Sequence, residues 1–236
     1  MSAVEFANVD HVVVDIEGTT SASAFVFDVL FPYATERFGS WLDAHGDEPE
    51  TVAIIAQVGE ELGVADPSQE QVVAALTDWV AADRKVTPLK TLQGLIWEQG
   101  FASGELVSDF FPDALEALRA WHGSGLPISI YSSGSVLAQR NWYAHSPAGD
   151  LTPWIAGYYD TANAGPKREV ESYRTIAQDI GTDPGTLLFC SDVVAELDVA
   201  SAAGWQVVRV RRSGEPHAVE DSAYPEVSEM SDIRVR

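Results

Sequence analysis

The chain has 236 residues, 46% of them hydrophobic and 10% aromatic, which excludes intrinsic disorder and allows one large domain or a core carrying a smaller insert. Against 14 basic residues stand 36 acidic ones, and the net charge of −22 argues against nucleic acid or an anionic membrane as partner, because both would be repelled. A small anionic substrate stays compatible, since surface charges are screened beyond about 8 Å and a site can carry its own metal ion and lysine. The acidity is read as a device for solubility or for a salty cell.

No stretch approaches the roughly 20 apolar residues of a membrane span, and Met1 to Phe6 lacks the basic and apolar regions of a signal peptide. A cytoplasmic location is therefore expected. Cys190 is the one cysteine, so neither an internal disulfide nor a cysteine-based metal site can form. Flanked by apolar residues, it reads as a small buried hydrophobe. The five histidines, at 11, 45, 122, 145 and 217, show no metal-ligand spacing and receive no role.

In chain order, the first element is a buried strand through Val12-Val13-Val14, ending in Asp15-Ile16-Glu17-Gly18-Thr19-Thr20. Residues 24 to 104 then show helical periodicity. An amphipathic stretch from Phe25 to Leu42 is bent or broken at Pro32, and further helices are predicted at about 50–63, 69–82 and 87–100. After Phe110-Phe111-Pro112 the rhythm alternates. Helices are predicted at 112–122, 136–145, about 168–180 and about 195–203, and strands at 127–131, 155–160, 187–190 and 206–210. A last strand is predicted near Ile233. Such alternation implies right-handed crossovers and an α/β fold with a doubly wound, parallel, Rossmann-like sheet. The predicted organisation is a core domain of residues 1–20 and 105–236, with an all-helical insert over 21–104.

Open α/β sheets bind ligands beyond the carboxyl ends of their strands. There the sequence delivers Asp15 from the first strand, Ser132-Ser133-Gly134-Ser135 from the strand ending at Tyr131, and Asp192 from the strand ending at Cys190; Lys167 lies in a Gly-Pro turn between the last two. Each alone has a plain structural reading, as a helix cap, a turn former or a solvated lysine. Together they point to phosphoryl transfer. Only three lysines stand against 11 arginines, so one kept beside a glycine-proline turn is less readily dismissed as surface. Glu17, two residues on in extended chain, would point to the same side as Asp15. Asp15 would attack phosphorus, Glu17 would protonate the leaving oxygen and then activate water, and Ser132, Ser133 and Lys167 would bind the phosphoryl oxygens. Asp15 and Asp192 supply the anionic oxygens that Mg²⁺ prefers, and the turn before the helix at 136 offers a phosphate seat.

These segments, in this order, resemble the haloacid-dehalogenase-like superfamily of aspartate-nucleophile phosphatases, with residues 21–104 resembling its cap. Glu17 stands where that superfamily usually has a second aspartate. That departure, with Phe31-Pro-Tyr33, Asp83-Arg-Lys-Val-Thr87, Leu89 to Gly94, Tyr131 to Ser135 and Glu171-Ser-Tyr173, is similar to the enolase-phosphatases of methionine salvage over nearly the whole chain. The resemblance implies enolisation and dephosphorylation of 2,3-diketo-5-methylthiopentyl-1-phosphate to an acireductone. It further implies one Mg²⁺ held by Asp15, Glu17 (through its main-chain carbonyl) and Asp192, substrate contacts from Ser132, Ser133 and Lys167, and a monomer. Arg84, Lys85 and Lys90 are expected to face the cleft from the cap, with a solvated helix face as the other reading. Ser191-Asp192-Val193-Val194 departs from the Asn-Pro that often follows this aspartate in bacterial relatives. A generic sugar-phosphate phosphatase, a dehalogenase and a noncatalytic phosphate-binding module are the alternatives.

Overall fold

The computed structural model describes residues 3–84 and 86–236, so Lys85 lies outside the described residues. The chain forms two compact units, Met1–Ser23 with Val107–Arg236, and Ala24–Leu106.

The first unit is built on a parallel sheet of six strands. We number the strands β1 Val4–Phe6, β2 His11–Val14, β3 Ile128–Tyr131, β4 Ile155–Tyr159, β5 Leu187–Ser191, β6 Gln206–Val210, β7 Glu226–Val227 and β8 Ile233–Val235. The sheet runs β4-β3-β2-β5-β6-β7, and β1 pairs β8 in a separate parallel ribbon, Val4 opposite Ile233. Continuous apolar runs suit strands covered on both faces. Val12, Val13 and Val14 are fully buried, as are Leu187, Leu188, Phe189 and Cys190. On one face Val13, Tyr131 and Phe189 pack against Tyr173 and Ile176 of helix Val170–Ile180 and Leu197 of helix Val194–Ala202. Because β2 is flanked by β3 on one side and β5 on the other, the crossovers diverge there. The crevice at that switch point is bordered by the ends of β2, β3 and β5.

The predicted elements of this unit stand within about two residues of the observed ones. The helix predicted from 168 starts at Val170, which leaves Lys167 and Arg168 in a turn. Strands β1 and β7, three and two residues long, carry no periodic signal.

The second unit is helical throughout its described residues, with Phe38–His45, Pro49–Leu62, Gln69–Ala81 and Thr87–Ser103 as its principal helices. Phe38, Ile54, Val58, Leu76, Leu92 and Ile96 form its core. Ser68 starts helix Gln69–Ala81 with a capping box closed by Gln71. The stretch from Phe25 to Leu42 breaks differently from the prediction. A π-helical turn, Val26–Leu30, precedes Pro32, with Phe31 N–H donating to the Val26 carbonyl. The proline, lacking an N–H, then sits in the first turn of helix Phe31–Thr35, and the second break falls at Arg37. Among the described residues no helix is long and apolar enough to cross a membrane.

Candidate active site at the carboxyl edge of the sheet

Register places the strand ends side by side. Val14 of β2 lies opposite Ile130 of β3 and Cys190 of β5, and Asp15 N–H donates to the Cys190 carbonyl at 3.0 Å. Asp15 is thus the first residue beyond the central strand, and only 5% exposed. The chain does not continue extended. The N–H groups of Thr19, Thr20 and Ser21 all converge on the Ile16 carbonyl at 2.9–3.2 Å, closing a compact turn. This corrects the extended-chain reading of Glu17, which sits on the exposed rim of the turn, its side chain without hydrogen bond or ion pair among the described residues. Gly18 turns the backbone with φ +72°, and a Cβ there would collide with the Asp192 carboxylate.

Lys167 reaches the nucleophile candidate from the far side. Its Nζ lies 2.5 Å from Asp15 Oδ1 and 3.0 Å from Glu196 Oε2, with the lysine side chain 9% exposed. Three hydroxyls hold the loop that carries it. Tyr131 donates to the Gly165 carbonyl at 2.8 Å, Ser172 to Pro166 at 2.8 Å and Tyr173 to the Lys167 carbonyl itself at 3.0 Å. Gly165, at φ +106°, lies so close to Ser172 Oγ that a Cβ would meet it at 2.5 Å. Burial disfavours the ammonium, but Asp15 and Glu196 more than offset this and hold the Lys167 pKa well above its ordinary value. Burial pushes the Asp15 carboxyl up, Lys167 opposes, and Glu196 and Asp192 add repulsion.

Asp192, one residue beyond β5, has both carboxylate oxygens buried and without a hydrogen-bond partner among the described residues. Burial pushes its carboxyl up to about 6, with His217 and Lys167 opposing. Buried, unpartnered carboxylate oxygens are costly unless something electropositive meets them. Three acidic side chains, Asp15, Asp192 and Glu196, face one ammonium, so the fully ionised cluster is two positive charges short. A hard divalent cation matches both the deficit and the all-oxygen donor set. Among the described residues no group of three or more His, Cys, Asp or Glu side chains is disposed to hold a metal. Two carboxylates would therefore need main-chain or water oxygens to complete a shell.

Beyond β3, Ser132 is buried and Ser133 half-buried. Ser132 N–H donates to the Tyr159 carbonyl at 3.1 Å and its Oγ accepts from Gly134 N–H at 3.2 Å. The helix that follows is capped from within. Val136 N–H donates to Asp160 Oδ2 at 3.0 Å and Ala138 N–H to Ser135 Oγ at 3.2 Å. Those two amides are not open to a phosphate.

Asp15, Lys167, Asp192 and Ser132 thus lie at the ends of adjacent strands or in the loop tied to them. Glu196 was not assigned from sequence. It lies in the first turn of helix Val194–Ala202, and its nearness in sequence to Asp192 is the available signal. Arg84 pairs with Glu61 at 3.1 Å and covers the Trp79 ring within its own helical unit, and Lys90 is half-buried. Cys190 is fully buried, and burial pushes its thiol up.

Comparison with known proteins bears on this geometry. The sequence pattern of the haloacid dehalogenase-like hydrolases matches residues 9–204. Enolase-phosphatase E1 of Streptomyces avermitilis is 57% identical over 89% of this chain and 88% of its own, and that of Pseudomonas aeruginosa 47% identical over 95% and 97%. The crystal structure of the Saccharomyces cerevisiae UTR4 protein superposes with a TM-score of 0.80 at 31% identity, covering 94% of this chain and 98% of that one. The L-2-haloacid dehalogenase of Xanthobacter autotrophicus, at 18% identity and a TM-score of 0.55 over 95% and 96%, shares the fold.

Proposed function

The chain belongs to the haloacid dehalogenase-like hydrolases and, within them, to the enolase-phosphatases; from that premise we propose that Asp15 is its nucleophile in the enolisation and dephosphorylation of 2,3-diketo-5-methylthiopentyl-1-phosphate, in the salvage of methionine from methylthioadenosine. The enzyme works as a cytoplasmic monomer, with residues 1–20 and 105–236 as the phosphatase core and 21–104 as a cap. The observation that carries the reading is the buried contact of Asp15 with Lys167, beside an Asp192 carboxylate whose oxygens have no hydrogen-bond partner among the described residues.

Phosphatases of this family generally depend on Mg²⁺. Asp15, Asp192 and the Glu17 main-chain carbonyl would hold one ion, which supplies the positive charge that lets a carboxylate approach a phosphate dianion. Lys167, kept charged by Asp15 and Glu196, binds phosphoryl oxygens, as do Ser132 and Ser133. Glu17, whose side chain is exposed and has no partner among the described residues, is proposed as the group that moves protons. Glu17 is one candidate for the base that takes the proton from carbon beside the carbonyl; it gives a proton to the leaving oxygen as Asp15 Oδ bonds to phosphorus and the ester P–O bond breaks, takes one from the water that frees phosphate from Asp15, and gives that one to the enolate oxygen, so that Glu17 ends ionised as it began. Asp15 is regenerated.

Incubation of the purified protein with the diketone phosphate, with and without Mg²⁺, tests the reading. Release of phosphate together with a product absorbing as a conjugated enediol is expected, dependent on Mg²⁺ and lost in Asp15→Asn. Hydrolysis of sugar phosphates without turnover of the diketone would point instead to a generic phosphatase.

A further inference from the structure

Arg212 lies just beyond β6, only 7% exposed, and takes no part in the reaction proposed above. Each of its three guanidinium nitrogens donates a hydrogen bond. Nη1 and Nη2 donate to the two carboxylate oxygens of Asp113, each at 2.9 Å, and Nε donates to the Thr19 carbonyl at 2.8 Å. The group lies 3.9 Å from the Phe111 ring centre. Asp113 Oδ2 is anchored in turn by the Met230 N–H at 2.7 Å, and Phe111 N–H donates to the Thr20 carbonyl at 2.9 Å. Residues 111–113 and Arg212 therefore grip consecutive carbonyls of the turn that follows Asp15.

What that turn does on its other side gives the grip a consequence. Thr19, fully buried, accepts the Asp192 N–H on Oγ1 at 3.0 Å, and the neighbouring Gly18 backbone lies against the Asp192 carboxylate. Both carboxylate oxygens of Asp192 lack a hydrogen-bond partner among the described residues. We propose that Arg212 is a positioning residue for Asp192, setting through the Thr19 turn the place of this carboxylate relative to Asp15, and hence the affinity of the site for Mg²⁺. A lysine cannot replace it, because one ammonium cannot serve a bidentate carboxylate and a carbonyl in a planar fork while stacking on a ring. The inference rests on the metal reading given above.

Calorimetric titration of MgCl₂ into metal-free protein tests it, with parent, Arg212→Lys, Thr19→Val and Thr19→Ser compared and each variant's melting point recorded in chelator. Support of this kind is worth about 10-fold to 100-fold in metal affinity. Arg212→Lys and Thr19→Val are expected to weaken Mg²⁺ binding by about tenfold or more, while Thr19→Ser, which keeps the hydroxyl, restores affinity to within about threefold of the parent. A structural tie alone would lower the chelated melting point and leave the Mg²⁺ affinity of the folded variants unchanged; that result overturns the proposal. If Arg212→Lys does not fold, the Thr19 pair decides in the same way. A parent protein that binds no Mg²⁺ would instead overturn the metal reading itself, and this inference with it.

Discussion

Lys167 and Glu196, 29 positions apart in sequence, meet with Nζ 3.0 Å from Oε2, and the same ammonium lies 2.5 Å from Asp15. Glu196 thereby shares the lysine with Asp15, the proposed nucleophile, and also accepts from Ser191 Oγ at 3.0 Å. Glu196→Gln keeps the shape and removes the charge. A hydrogen bond between charged groups is worth about 1.5–3 kcal/mol, so kcat/KM should fall by about 10-fold to 100-fold as Lys167 loses its second anchor. Steady-state kinetics check this. Unchanged kcat/KM would remove Glu196 from the site's support.

Gly18→Ala confronts two obstacles at once. A side chain at φ +72° is strained by about 1–2 kcal/mol, and its Cβ would displace the Asp192 carboxylate. The variant is expected to melt lower and to need higher Mg²⁺ for half-maximal phosphate release. Kinetics against Mg²⁺ concentration, with a melting curve in chelator, separate the two effects.

His11 opens β2 at the opposite end of that strand, its Nε2 sharing a hydrogen bond with Ser129 Oγ at 2.8 Å. Burial lowers its pKa from 6.5 to about 4, so the folded state holds it neutral. The unfolded chain binds the proton more readily, and stability rises with pH across that window. Full stability is present above pH 6.5, and acidification toward pH 4 removes about 3 kcal/mol through this residue. Denaturant melts at several pH values should show the slope, and His11→Gln should flatten it. An equal slope in the variant would contradict the assignment.

Cys190 lies two residues before Asp192, the proposed metal ligand, yet its thiol is sealed within β5 and pushed up by burial. Thiolate-directed labelling of native protein should be slower than that of denatured protein by several orders of magnitude, with the labelled fraction tracking unfolding. Fast labelling of the native state, or loss of activity on labelling without unfolding, would contradict burial.

The legible parts of the site are those that hang on buried parallel strands. Val12–Val14, Ile128–Tyr131 and Leu187–Cys190 are short apolar runs with one stable arrangement, so the polar residue after each marks the carboxyl edge. Other features depended on contacts that local pattern does not encode. Arg212 and Asp113 meet across 99 positions, and Glu196 reads locally as an ordinary acid in a helix's first turn. Glu17 was placed by strand geometry, whereas hydrogen bonds to the Ile16 carbonyl fold that segment into a turn. At the helix after β3, where a phosphate seat is expected, the Val136 amide is capped by Asp160, 24 positions away.

The central claim is that Asp15 takes the phosphoryl group from substrate. Rapid acid quench during turnover, followed by proteolysis and mass spectrometry, reads it directly. The account predicts one phosphoryl group on the peptide containing Asp15, absent without Mg²⁺ and absent in Asp15→Asn. Phosphate release at full rate with that peptide unmodified at every quench time, or the group found on another residue, would contradict it.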